Sequence, residues 1–425
     1  MSVYAINGAA GCGKTYTIME KLIATLEETP LKSLQKVLAL TFMHGSRLRL
    51  ENKLKALPNL KNNYQCLTID SFAYRICSRW KSLLLDKKLQ IASEDEYDLN
   101  CRNAAELLTD SHVRNWIACS FPILLIDEGQ DLTVERLQII INLKDCLCLL
   151  IAADEFQCLD DRLRPNPLAS WLPDVCQPIE LTLPRRTSLK GLLDAGLALR
   201  TGNSPVATKN DFKIVAAPGV PLSATYVCNA IAWGGTQDIA VLTPSNSGGY
   251  ASSIITMVTE KACGKRKNGP YKIHRELSDE DKILVLLNGR SLESEYSIEE
   301  ALIFLKTLDT YNYIIRSTIA QISRKSSLQG VNRIEGKKIR EIMLRFTTLQ
   351  RQRWAANQTG IKAMTIHQAK NREFDGVIVL WPFTVAGDDE HKRRLLYNAI
   401  TRAKKWCLVL VQNQSILLKA PFKNV

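Results

Sequence analysis

The chain has 425 residues, 46% of them hydrophobic and 23% charged, with a formal net charge of +13. That length allows two or three domains of ordinary size, and the composition is that of a folded soluble chain. No apolar run reaches the roughly 18 residues a membrane-spanning helix needs, so the expectation is a soluble, cytoplasmic protein with no membrane partner. The twelve cysteines are scattered without a CxxC pair, which reads as reduced thiols rather than disulfides or a zinc site. The positive excess favours a polyanionic partner.

Taken in order, Val3–Ile6 reads as a short strand, Tyr16–Thr25 as a helix, Val37–Phe42 as a buried strand, Ser46–Ala56 as a basic helix and Gln65–Ile69 as a third strand. Alternation of this kind predicts an α/β fold with mainly parallel sheets. Tyr74–Cys119 is polar and helical in pattern and reads as a small insertion. Ile123–Ile126 and Cys148–Ala152 follow as core strands, each trailed by acidic residues. A first domain is therefore expected over residues 1–184, with its insertion at 74–119. A second α/β unit over 185–255 and 356–425 has its clearest strands at Ile239–Leu242, Ala363–Ile366, Val377–Leu380 and Cys407–Val411. Residues 256–355 read as an inserted basic subdomain: ten lysines and arginines stand against Glu335 and Glu341 between Tyr311 and Ala356. Trp233, Trp381 and Trp406 are expected in the core.

The segment Gly8, Ala9, Ala10, Gly11, Cys12, Gly13, Lys14, Thr15 fits GxxxxGK[ST] between a strand and a helix. Glycines let backbone N–H groups turn toward phosphate, and the helix start adds its positive end. Lys14 is placed to reach the β and γ phosphates and Thr15 to hold Mg²⁺. In LLIDEGQD, Asp127 at the end of a buried strand is a metal-binding carboxylate and Glu128 a base for the attacking water. Hydrolysis, beyond binding, is what this pair suggests. Gln157 is an amide suited to sensing the γ phosphate or orienting water. Arg186 and Arg402 are candidates to neutralise charge on the transferring phosphoryl group, with surface salt bridging as the alternative for each.

These segments together resemble the UvrD/Rep-like superfamily 1 DNA helicases. ALTFMHGS (39–46), LTIDSFA (67–73), LIDEGQD (125–131), LTLPRRTS (181–188), MTIHQAKNREFDGVIV (364–379) and RRLLYNAITRAK (393–404) occur in the family's order. The resemblance implies two RecA-like P-loop lobes with parallel sheets and small, mainly helical insertions, clamping ATP and Mg²⁺ between them. It implies that Gln157, Arg186 and Arg402 contact the γ phosphate, that Glu373 holds the ribose, and that Gln130 and Asp131 link hydrolysis to the DNA track. Phe42, Arg47, Phe72 and His367 are the implied nucleic-acid contacts, with Arg49 and Arg75 nearby. The sequence begins at the first strand, without the family's upstream adenine-reading glutamine segment. It has CLDDRLRP (158–165) where the family commonly carries base-stacking aromatics, and Lys370–Asn371 in place of a Lys-Gly pair.

The implied activity is a DNA-dependent ATPase and 3′-to-5′ translocase or helicase on single-stranded or tailed duplex DNA. The alternative is an ATP-switched DNA-binding or nuclease-partner subunit without processive unwinding.

Overall fold

A computed structural model describes residues 2–423, apart from residues 43, 59, 61, 94–95, 237, 246–248, 278, 293 and 356–359 and the side chains of 44–46, 48, 328–329, 348 and 351–355. The side chains of Arg351 and Arg353 in the basic stretch thus lie outside the described residues.

The first lobe runs β1 (Val3–Gly8), α1 (Lys14–Glu28), β2 (Val37–Thr41), α2 (His44–Lys55), β3 (Tyr64–Thr68), α3 (Ile69–Arg79), α4 (Lys81–Asp86), α5 (Tyr97–Leu107), α6 (Ser111–Ser120), β4 (Ile123–Asp127), α7 (Val134–Leu143), β5 (Cys148–Ala153), α8 (Pro167–Trp171) and β6 (Ile179–Leu181). Its strands form a parallel six-stranded sheet in the order β3-β2-β4-β5-β1-β6. Helices cover both faces, so β2, β4 and β5 are near-continuous apolar runs rather than alternating ones. Thr68 caps α3 by accepting from the Ser71 N–H at 3.2 Å. That start turns Ile69, Phe72, Ala73 and Ile76 inward.

The second lobe begins with α9 (Lys190–Arg200), β7 (Phe212–Ala216), α10 (Val220–Trp233), β8 (Ile239–Thr243), α11 (Gly249–Glu260) and β9 (Ile273–Arg275). The chain then makes a separate compact unit, residues 275–359: α12 (Asp279–Leu286), β10 (Glu295–Ser297), α13 (Ile298–Lys306), α14 (Tyr313–Gln329), β11 (Arg333–Glu335) and α15 (Gly336–Ala355). It returns with β12 (Ile361–Thr365), β13 (Phe374–Trp381), α16 (Asp389–Ile400) and β14 (Ala403–Val411). The second sheet has the order β7-β14-β13-β8-β12-β9. Strands made before the inserted unit never neighbour one another in it; each lies beside strands made after. The architecture is thus two RecA-like α/β lobes with parallel sheets and helical insertions.

The inserted unit has its own core, with Leu305, Ile315, Ile322, Ile339 and Met343 buried. Its antiparallel β10–β11 pair precedes and follows helices, and a Ser297–Glu300 capping box starts α13. It begins at Arg275 rather than at residue 256, because α11 packs on α10 and β9 joins the second lobe's sheet. Trp381 is in the core, and Trp406 is half-buried, donating from Nε1 to the Gly234 carbonyl at 3.0 Å. Trp233 departs from expectation: it ends α10 and is 59% exposed, with the Arg266 guanidinium 4.9 Å from its ring. All twelve cysteines are unpaired, and no helix among the described residues is long and apolar enough to cross a membrane.

Candidate nucleotide site and nucleic-acid contacts

The turn after β1 depends on its glycines. Gly11 (φ 82°) and Gly13 (φ 84°) are left-handed, and a Cβ on Gly11 would lie 2.8 Å from the Arg186 Cβ. Lys14 and Thr15 open α1. The Lys14 ammonium folds back on its own loop, donating to the Gly8 and Ala9 carbonyls at 2.9 and 3.2 Å. Thr15 Oγ1 donates to Asp127 Oδ2 at 3.4 Å, across from the end of β4.

Asp127 is half-buried at the end of β4, and desolvation together with the adjacent Glu128 carboxylate raises its pKa to about 6. Glu128 itself sits at φ 61°, a strained left-handed position for a residue with a side chain. Its carboxylate accepts from Gln130 Nε2 at 2.6 Å, and Gln130 Oε1 in turn accepts from the Asp154 N–H at 3.0 Å. One amide therefore ties the ends of β4 and β5 together.

The second lobe reaches the same place. Arg402, in the turn between α16 and β14, donates to Gln157 Oε1 at 3.0 Å and to the Asn398 carbonyl. Burial and the nearby Arg186 lower its pKa to about 10, which leaves it charged at neutral pH. Gln157 Nε2 donates to Asp154 Oδ2 at 2.8 Å. Arg186 donates to Glu373 Oε1 at 2.8 Å and to the Thr401 carbonyl at 2.6 Å. Desolvation raises the Glu373 carboxyl, but Arg186 and Lys404 outweigh it and hold the group below the usual range. Lys14, Thr15, Asp127, Glu128, Gln157, Arg186, Glu373 and Arg402 all line one cleft of about 780 Å³.

Of the expected nucleic-acid contacts, Phe42 is half-buried after β2 beneath the Arg136 guanidinium, 5.4 Å from its ring centre. Arg47 is half-buried, and its Nε has no hydrogen-bond partner among the described residues. His367 is exposed in the turn after β12. Phe72 is corrected: at 3% exposure it belongs to the first lobe's core and offers no face to a base. Where stacking aromatics are missing, the segment after Gln157 bonds to the second lobe: Asp161 pairs with His391 at 2.8 Å, and Arg164 donates to Asp388 at 3.1 Å.

Sequence reasoning missed Arg49, Asn52, Lys53 and Arg185 as cleft-lining residues. It also missed Tyr397, whose hydroxyl accepts from the Ala10 N–H at 2.8 Å. Tyr397 falls within YNAITRAK and was open to discovery there; Arg49 and Lys53 sit on a helix whose basic character resembles any solvated face.

Fold and cleft define a two-lobed α/β protein of the RecA-like class. The profile of the UvrD/REP helicase N-terminal domain matches residues 2–107, and that of the UvrD-like helicase C-terminal domain matches residues 360–410. In these two segments the chain is similar to the UvrD/Rep-like superfamily 1 helicases. No curated protein matches it. Among solved structures it is similar to the crystal structure of arterivirus nonstructural protein 10, a helicase, at 12% identity and a TM-score of 0.40. It is also similar to the complex of that protein with DNA, at 11% and 0.39. Each alignment covers 98% of this chain and 62% of the other, so the chain spans under two thirds of those proteins' length.

Proposed function

We propose that the chain is an ATP-driven motor on single-stranded DNA, moving 3′ to 5′ as the family resemblance implies and opening tailed duplexes. The observation that carries this reading is the arrival of Arg402, from the second lobe, in the cleft that holds Lys14, Thr15, Asp127 and Glu128 of the first. A nucleotide clamped there ties the lobes together, and loss of its γ phosphate removes the partner of the second lobe's arginine.

The residues present fit a magnesium nucleotide. Thr15 Oγ1 and Asp127 are adjacent hard oxygen donors, the small number of protein ligands that Mg²⁺ takes beside phosphates and water. Bound Mg²⁺ supplies charge neutralisation at the phosphates. Lys14 exchanges its loop carbonyls for phosphate oxygens. Arg186 exchanges Glu373 for phosphate, which frees the glutamate for the ribose hydroxyls. Glu128, oriented by Gln130, accepts the proton of the attacking water. On the DNA side, Phe42, Arg47 and His367 follow strand ends, where a backbone-tracking strand contacts α/β lobes.

A second reading, an ATP-switched DNA-binding or nuclease-partner subunit without processive unwinding, is favoured by the burial of Phe72 and by the ion-paired segment at Asp161 and Arg164. ATP hydrolysis with and without single-stranded DNA, paired with displacement of a 3′-tailed duplex, divides the two. Stimulation with displacement supports the motor. Stimulation without displacement selects the second reading, and hydrolysis indifferent to DNA sinks the first.

A further inference from the structure

Asp154, just past β5, is a fully buried carboxylate facing two cations from different lobes. Lys14 of the first lobe stands 3.7 Å away and gives its hydrogen bonds to the loop carbonyls instead. Arg200, the last residue of α9 in the second lobe, donates directly to Asp154 Oδ1. Its guanidinium lies 5.7 Å from the ring centres of both Phe156 and Tyr397, which pack edge to face at 5.0 Å. The Tyr397 hydroxyl completes the cluster, 3.2 Å from Asp154 Oδ2. Arg200 does not line the cleft and falls outside both family-matched segments.

We propose that Arg200 is a positioning residue that keeps Lys14 available to phosphate: by neutralising Asp154 from the second lobe, it prevents that carboxylate from capturing the lysine. A buried carboxylate stripped of its partner draws in the nearest cation, and Lys14, a compact charge on a flexible stem, already stands 3.7 Å from it. When α9 is withdrawn, Asp154 takes Lys14 and the phosphate cradle loses its charge. When α9 is seated, Lys14 is released. The coupling is reciprocal: a nucleotide that engages Lys14 leaves Asp154 dependent on Arg200, and so draws the second lobe in. The inference rests on the ATPase reading and gives one of the inter-lobe links, a link that does not touch the nucleotide, a role in phosphate binding.

The test is equilibrium binding of MgATP, with steady-state kcat and KM, in Arg200→Gln, Arg200→Lys, Asp154→Asn and the Arg200→Gln/Asp154→Asn double variant, each checked by thermal melting. Arg200→Gln is expected to weaken MgATP binding about tenfold or more, within the ~5–150-fold range of inter-site couplings. Arg200→Lys recovers most of that loss. The double variant binds within about twofold of Asp154→Asn alone, because no carboxylate remains to capture Lys14. Wild-type affinity in Arg200→Gln overturns the proposal, as does an equal further loss in the Asp154→Asn background, which a merely structural role predicts. If Arg200→Gln does not fold, Arg200→Lys and the double variant, which bury no unpaired carboxylate, decide the matter. Failure of the unaltered chain to bind MgATP overturns the ATPase reading and this proposal together. Binding with an indifferent Arg200→Gln overturns only the latter.

Discussion

Lys370 of the second lobe places its ammonium 2.6 and 2.7 Å from the two carboxylate oxygens of Asp131 in the first, each side chain 9% exposed. Burial raises the Asp131 carboxyl above its ordinary range, and Lys370 opposes that rise. Lys370→Met leaves the carboxylate buried and unpaired, so a loss of about 3–5 kcal/mol is expected in denaturant unfolding. A raised folded-state pKa means that the native chain binds the extra proton, so the deficit shrinks as pH falls through that pKa. A deficit that grows toward acid pH would contradict the assignment.

Lys14→Ala and Glu128→Gln are expected to fail differently. The first loses MgATP affinity, because the cradle's cation is gone. The second binds MgATP but hydrolyses it about 10²–10⁴-fold more slowly, the range of a lost general base. Normal turnover in either variant removes the role given to that residue.

Gly11→Ala combines a left-handed backbone with a Cβ placed 2.8 Å from that of Arg186. It is expected to destabilise the chain by about 1–2 kcal/mol and to weaken nucleotide binding further by shifting the loop. Calorimetric unfolding and nucleotide titration read the two effects separately, and a fully stable, ATP-binding variant would show that the turn tolerates a side chain.

Phe72→Ala opens the first lobe's core, and an unfolding free energy lower by about 3–5 kcal/mol is expected. Phe42→Ala, at a half-buried ring, is expected to change single-stranded DNA affinity more than stability. The reverse pattern would return Phe72 to the list of DNA contacts.

Lys337 and Lys338 lie at the start of α15 in the inserted unit. If this face meets nucleic acid, neutralising both lowers the slope of log affinity against log salt by about 1.4 for single-stranded DNA. An unchanged slope excludes the face.

Legibility followed the physical strength of each signal. β2, β4 and β5 are buried on both faces and stand out as apolar runs, and the glycine loop was readable because a phosphate cradle demands small residues at fixed offsets. Short or edge strands carry no such signature: β6 and β9 have three residues each, and β7 went unread. Phe72 was misassigned because its position after a strand end is shared by core and ligand-facing residues; only the Thr68 cap decides which way α3 turns it. Arg200 was invisible because its partner is 46 residues away in sequence and on another lobe.

The interleaving of the second sheet has a consequence for synthesis. β7, β8 and β9 emerge from the ribosome with no partner among themselves and wait, across the whole inserted unit, for β12, β13 and β14. The first lobe, contiguous in sequence, needs no such wait. A nascent chain therefore owns a phosphate cradle well before it owns Glu373 and Arg402, which arrive with the strands that close the second sheet. Until Ala403–Val411 is threaded between β7 and β13, the unfinished edges are open to pairing with other chains. The cleft is assembled last, at the point where the two lobes answer each other.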